Sequence, residues 1–117
     1  MSGCVLRARR KGFDPEQFLS GGALPGSVAY DDGFNLTICE SEELLVQLRD
    51  AEAFLRENSE QCGVLSKQLA PETPVLDFGI WRREAPSQSV VFPSSLVRVA
   101  GRLGFQLEVS IYEASDL

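Results

Sequence analysis

The pattern that most restricts this chain runs from Phe105 to Tyr112, where Phe105, Leu107, Val109 and Ile111 alternate with Gln106, Glu108, Ser110 and Tyr112. A period of two is the period of a pleated strand, so this segment has one apolar and one polar face. A helix would scatter the same residues around its axis. The alternation recurs at Phe34, Leu36 and Ile38 against Asn35, Thr37 and Cys39. It recurs again at Leu76, Phe78 and Ile80 against Asp77, Gly79 and Trp81. A fourth run, Cys4 to Lys11, sets Cys4, Leu6 and Ala8 against Val5, Arg7 and Arg9. Parallel sheets covered on both sides read as unbroken apolar runs, and these strands do not. The expected fold is therefore α+β, a mixed four- to five-stranded sheet with helices packed on one face. A chain of 117 residues matches one domain, 1-117, large enough to bury a core without staples.

Helix signals fill the gaps between strands. Asp14 at an N-cap, Pro15 at the first helical position and Gln17 three residues past the cap form a capping box. Phe13 and Phe18 occupy the positions of a hydrophobic staple, and Gly21-Gly22 ends the helix. Ala23 to Gly33 reads as a loop, with room for a short strand at Val28 to Tyr30. Ser41 is expected to cap a second, long helix, with Glu42 and Glu43 in its first turn. Leu44, Leu45, Leu48, Ala51 and Leu55 recur there at helical spacing, with an interruption at Asn58-Ser59. Cys62, Leu65 and Leu69 carry the apolar face onward until Pro71 and Pro74. Leu96, Val99, Ala100 and Leu103 make the apolar face of a last helix, with Arg98 and Arg102 outward and Gly104 as its stop. No repeat or second domain is visible, and Asp116-Leu117 reads as a frayed end.

Charge and cysteine content narrow the function classes. A net charge of −6 disfavours nucleic-acid binding, which requires a cationic face. Arg7, Arg9, Arg10 and Lys11 hold four of the eleven basic residues and read as the solvated side of an edge strand. Three widely spaced cysteines, Cys4, Cys39 and Cys62, form no C-x-x-C pair and suit a reducing, cytoplasmic setting as small core residues. No apolar run is long enough for a membrane span or signal peptide. Histidine is absent, which removes Ser-His-Asp and Cys-His catalysis and imidazole metal sites. The glycines fit neither a Walker loop nor a dinucleotide fingerprint, and Asp31-Asp32-Gly33 is a turn rather than a calcium loop. No catalytic residue, metal or cofactor is assigned.

The segments Phe92-Pro93-Ser94-Ser95-Leu96, Gly104-Phe105 and Ser110-Ile111-Tyr112 together resemble a family of small, mostly bacterial domains of unknown function. Asp14-Pro15-Glu16 and Leu24-Pro25 resemble the same family's opening helix and turn. The resemblance implies an α+β sheet-and-helix domain and carries no activity with it.

One constellation remains. Asp77 and Trp81 are four apart in one strand and Glu108 and Tyr112 four apart in another, so all four side chains can share the uncovered sheet face. Their expected use is as an interaction face for a protein partner or a second copy in a homodimer, with the aromatics central and the carboxylates at the rim. The acidic stretch from Glu40 to Glu60 could meet a basic partner, or simply be a solvated helix face. The alternative is a small-ligand-binding domain or enzyme using Asp77 and Glu108 as acid and base, which a pocket with convergent carboxylates would favour.

Overall fold

The computed structural model describes residues 3–84 and 86–113; the expected fraying of Asp116-Leu117 lies outside them. Local signals place the elements. Asp14 Oδ1 accepts the Gln17 backbone N–H at 3.1 Å and so starts α1 (Pro15–Leu19). Phe13 and Phe18 pack with ring centroids 6.2 Å apart, and Phe18 stacks on Phe34 at 5.8 Å. The helix interruption falls where Asn58 closes α2 (Leu44–Glu57) and α3 (Ser59–Leu69) begins. Gly104, at φ 80°, ends α4 (Ser94–Leu103) in the left-handed conformation that glycine adopts without strain.

The strands are β1 (Gly3–Arg9), β2 (Val28–Tyr30), β3 (Gly33–Cys39), β4 (Val75–Trp81) and β5 (Gln106–Tyr112). They form one mixed sheet in the order β2-β3-β1-β4-β5. All pairings are antiparallel except β4 with β5, which the α4 crossover makes parallel. The helices pack on one face, over Cys4, Leu6, Ala8, Phe34, Leu36, Leu76 and Phe78, all buried. Leu48, Ala51, Leu55, Cys62, Leu65, Leu69, Leu96, Val99 and Ala100 complete that core from the helix side. The β1–β3 register shifts between Cys4 and Val5, and just before it Gly3, at φ 115°, lets the strands approach: a Cβ there would stand 2.5 Å from the Cys39 carbonyl oxygen. No helix among the described residues is long and apolar enough to cross a membrane.

Four expectations are corrected. The basic run does not lie on an edge strand, because β1 is the middle strand of the five. Arg7 and Arg9 tolerate that position because no described helix covers their face and each meets a carboxylate, Arg7 those of Asp77 and Glu108 and Arg9 that of Asp32. Arg10 lies past the strand's end. The second helix starts at Leu44 with Glu43 at its N-cap, not at Ser41; Ser41 Oγ accepts the Glu43 N–H one turn earlier, at 3.0 Å. Leu45 lies to one side of the stripe formed by Leu48, Ala51 and Leu55, and is 80% exposed. Ile111, assigned to the core by parity, is 54% exposed, on the strand at the sheet's edge.

Candidate functional site

The parallel register of β4 and β5 sets Asp77 beside Glu108 and Trp81 beside Tyr112. All four residues singled out in the sequence thus share the uncovered face, two pairs deep. The adjoining central strand contributes what sequence reasoning missed. Val5 lies opposite Asp77 and Arg7 opposite Val75, so the Arg7 side chain emerges one row from both carboxylates. Arg7 Nη1 donates to Asp77 Oδ2 and Arg7 Nη2 donates to Glu108 Oε2, one guanidinium bridging two strands. Ser110 Oγ stands 2.7 and 2.9 Å from the two Asp77 oxygens and gives its proton to that carboxylate. The available signal was an arginine on the polar face of one strand, with acidic residues on the polar faces of two others.

Burial within this cluster is uneven. The Asp77 side chain is only 8% exposed, against 39% for Arg7 and 50% for Glu108. Asp77 therefore does not sit at a rim, contrary to expectation, because Arg7, Glu108 and Ser110 close over it. Partial burial alone would lower the Arg7 pKa. The hydrogen bond and charge of Asp77, with those of Glu108, outweigh that and hold it above the ordinary arginine value. Within the cluster Asp77 is nearly withdrawn from water and accepts from Arg7 and Ser110, whereas Arg7 and Glu108 are paired but keep part of their surface in solvent.

Two rows along from Asp77 and Glu108, past Gly79 and Ser110, the Trp81 and Tyr112 rings meet edge to face, centroids 5.8 Å apart and planes at 61°. Such a contact is worth about 0.5–1.5 kcal/mol beyond the area it buries. The indole N–H points off the sheet end to Glu42 Oε1 at 3.3 Å. Both rings are half-buried and present a preset apolar surface next to the charges. Across the sheet the face continues through exposed Thr37 and Asn35, and Arg9 pairs with Asp32 at 3.1 Å.

A crevice of about 720 Å³ lies past the carboxyl ends of β3 and β4, lined by Glu42, Leu44, Leu45, Ile80, Trp81 and Gln88 among others. Neither Asp77 nor Glu108 lines it. The two carboxylates converge on Arg7, away from this crevice. Of the acidic stretch, Glu42 reaches Trp81, whereas Glu52 within α2 holds Arg56 at 3.1 Å and accepts from Ser95 Oγ at 2.8 Å on the helix side. Cys4, Cys39 and Cys62 are buried free thiols, and among the described residues no group of three metal-ligating side chains is assembled. Comparison with protein-family models, curated proteins and solved structures gives no match.

Proposed function

We propose that this chain is a small protein-interaction domain that binds a protein partner across its uncovered sheet face, centred on Asp77, Trp81, Glu108 and Tyr112. The observation that carries the reading is the Trp81–Tyr112 pair, held edge to face on an uncovered surface beside charges already locked together. An interface built this way loses little on binding. The rings are positioned in advance, so few rotamers are frozen, and apolar area removed from water contributes about 25 cal/mol per Å². The charges next to them are paired with one another, so covering them costs less than covering unpaired charges would. Use of Asp77 and Glu108 as acid and base has less support. Each already accepts from Arg7, and neither is among the described residues that line the crevice of about 720 Å³.

The test is photo-crosslinking in living cells, with a benzoylphenylalanine placed at Thr37 on the open face and, separately, at exposed Arg98 on the helix side. A discrete adduct heavier than two copies of the chain is expected from position 37 alone. It should be lost in the Trp81→Ala, Tyr112→Ala background. Equal adducts from both positions, or one that ignores the double variant, would remove this face as the site.

A further inference from the structure

We infer that the free edge of β5 pairs with β5 of a second copy of this chain, antiparallel about a two-fold axis through Val109, joining two five-stranded sheets into one. The inference goes beyond the face reading and does not require it.

The backbone fixes which groups are available. The Gln106 N–H donates to the Pro74 carbonyl, and the Tyr112 carbonyl accepts from the Arg82 N–H. Even-numbered residues of β5 therefore turn their backbone groups toward β4. The N–H and C=O of Leu107, Val109 and Ile111 turn away, at the end of the sheet order, with no strand beyond them among the described residues. A row of unpaired backbone groups is a template for another strand, and folded proteins commonly blunt it with shortness, proline, lysine or a bulge. The opposite edge, β2, is three residues long. β5 is seven residues long, keeps an unbroken register with β4 and contains neither proline nor lysine. Its one charge, Glu108, is engaged by Arg7 on the open face.

The sequence of β5 is complementary to itself in that arrangement. About Val109, Leu107 meets Ile111 of the second copy, Glu108 meets Ser110, and Gln106 meets Tyr112. This is the one two-fold register that pairs all seven residues. It lays apolar side chains on apolar ones, opposes no like charges and covers Ile111, which is otherwise 54% exposed. A two-fold axis on Glu108 would instead set Glu108 against itself. Because Val109 is an outward-facing residue, Val109–Val109 and both Leu107–Ile111 pairs are hydrogen-bonded pairs, giving about six backbone bonds at two per pair. An edge of this length is a small interface, so the dimer is reversible and concentration-dependent.

Sedimentation velocity on the whole chain over a hundredfold concentration range provides the first measurement. The parent should move from monomer toward dimer, and Ile111→Lys should weaken the association tenfold or more. Ile111 is already half in water, so the variant should keep the parent's circular dichroism and unfolding midpoint. A second measurement uses Val109→Cys. Hydrogen-bonded partners stand about 5.5 Å apart at Cα, within disulfide range, and the three native cysteines are buried. Mild oxidation should give a covalent dimer much faster than it does for Arg98→Cys on the exposed side of α4. A parent monomeric throughout, a dimer indifferent to Ile111→Lys, or equal cross-linking at positions 109 and 98 would each overturn the edge pairing. None of these results would alter the photo-crosslinking outcome at Thr37, so the two readings fail separately.

Discussion

Arg7 holds more of the open face together than any other side chain, and removing it exposes how the face is balanced. With Arg7→Met, the nearly buried Asp77 carboxylate loses its counter-charge and keeps only the Ser110 hydroxyl. Breaking a fully buried pair costs about 3–5 kcal/mol, and exposed pairs are worth about 0–1 kcal/mol. Arg7 is 39% exposed, so this loss should fall between those limits, at about 2 kcal/mol. Adding Asp77→Asn removes the stranded charge and should restore part of it. Urea unfolding of the parent and the two variants gives the comparison. An Arg7→Met midpoint equal to the parent's would mean that the bridge contributes nothing to stability. Arg7 also shows where sequence reading stops: parity placed it on the correct face, but only strand order decides which carboxylates it meets.

At the scale of elements, what was legible was whatever a local pattern encodes. The N-cap of α1, the break at Asn58, the glycine stop of α4 and the faces of β3, β4 and β5 all follow from spacing within about ten residues. Strand order does not, because it depends on which surfaces meet, and so β1 was placed at an edge when it lies in the middle. The boundary of α2 was missed for a local reason. Ser41 caps a turn rather than the helix itself, and nothing in Ser41-Glu42-Glu43 distinguishes the two. Ile111 was missed because alternation says which side a residue is on, not whether anything covers that side. The same distinction predicts unequal costs on one apolar face. Phe78 is fully buried and meets Phe92 at 5.5 Å, whereas Leu107 on the neighbouring strand is only partly covered. Phe78→Ala should cost about 3–5 kcal/mol, and Leu107→Ala less than the 2–5 kcal/mol of a buried leucine. Equal shifts in denaturant midpoint would mean that β5 is packed as tightly as β4.

For the whole molecule, the three thiols report on the core, since they come from β1, β3 and α3 and all are buried. Burial pushes Cys62 up to about 12 from 9.0, and Cys4 rises further, first through burial and then through its neighbours Cys39 and Asp77. In the unfolded chain these thiols ionise near 9.0, while in the folded state they keep their protons. Folded-state values that are raised mean that the thiol contribution is complete below about pH 9 and is lost as pH climbs above it. Unfolding midpoints measured from pH 7 to 10.5 should therefore fall above pH 9, less steeply in a Cys4→Ala, Cys62→Ala variant. A variant with the parent's slope would place the alkaline loss elsewhere. The central place of β1 has a further consequence, for the order of events during synthesis. A ribosome releases β1, β2 and β3 well before β4, so the nascent chain can form the β1–β3 pair while the other side of β1 still lacks its neighbour. Until residue 81 has emerged, the middle of the finished sheet is an open edge, and Arg7 waits there without Asp77 or Glu108. During that interval Arg7 and Arg9 are the charges of an open edge strand, the kind of residue that discourages other chains from pairing until its own β4 arrives.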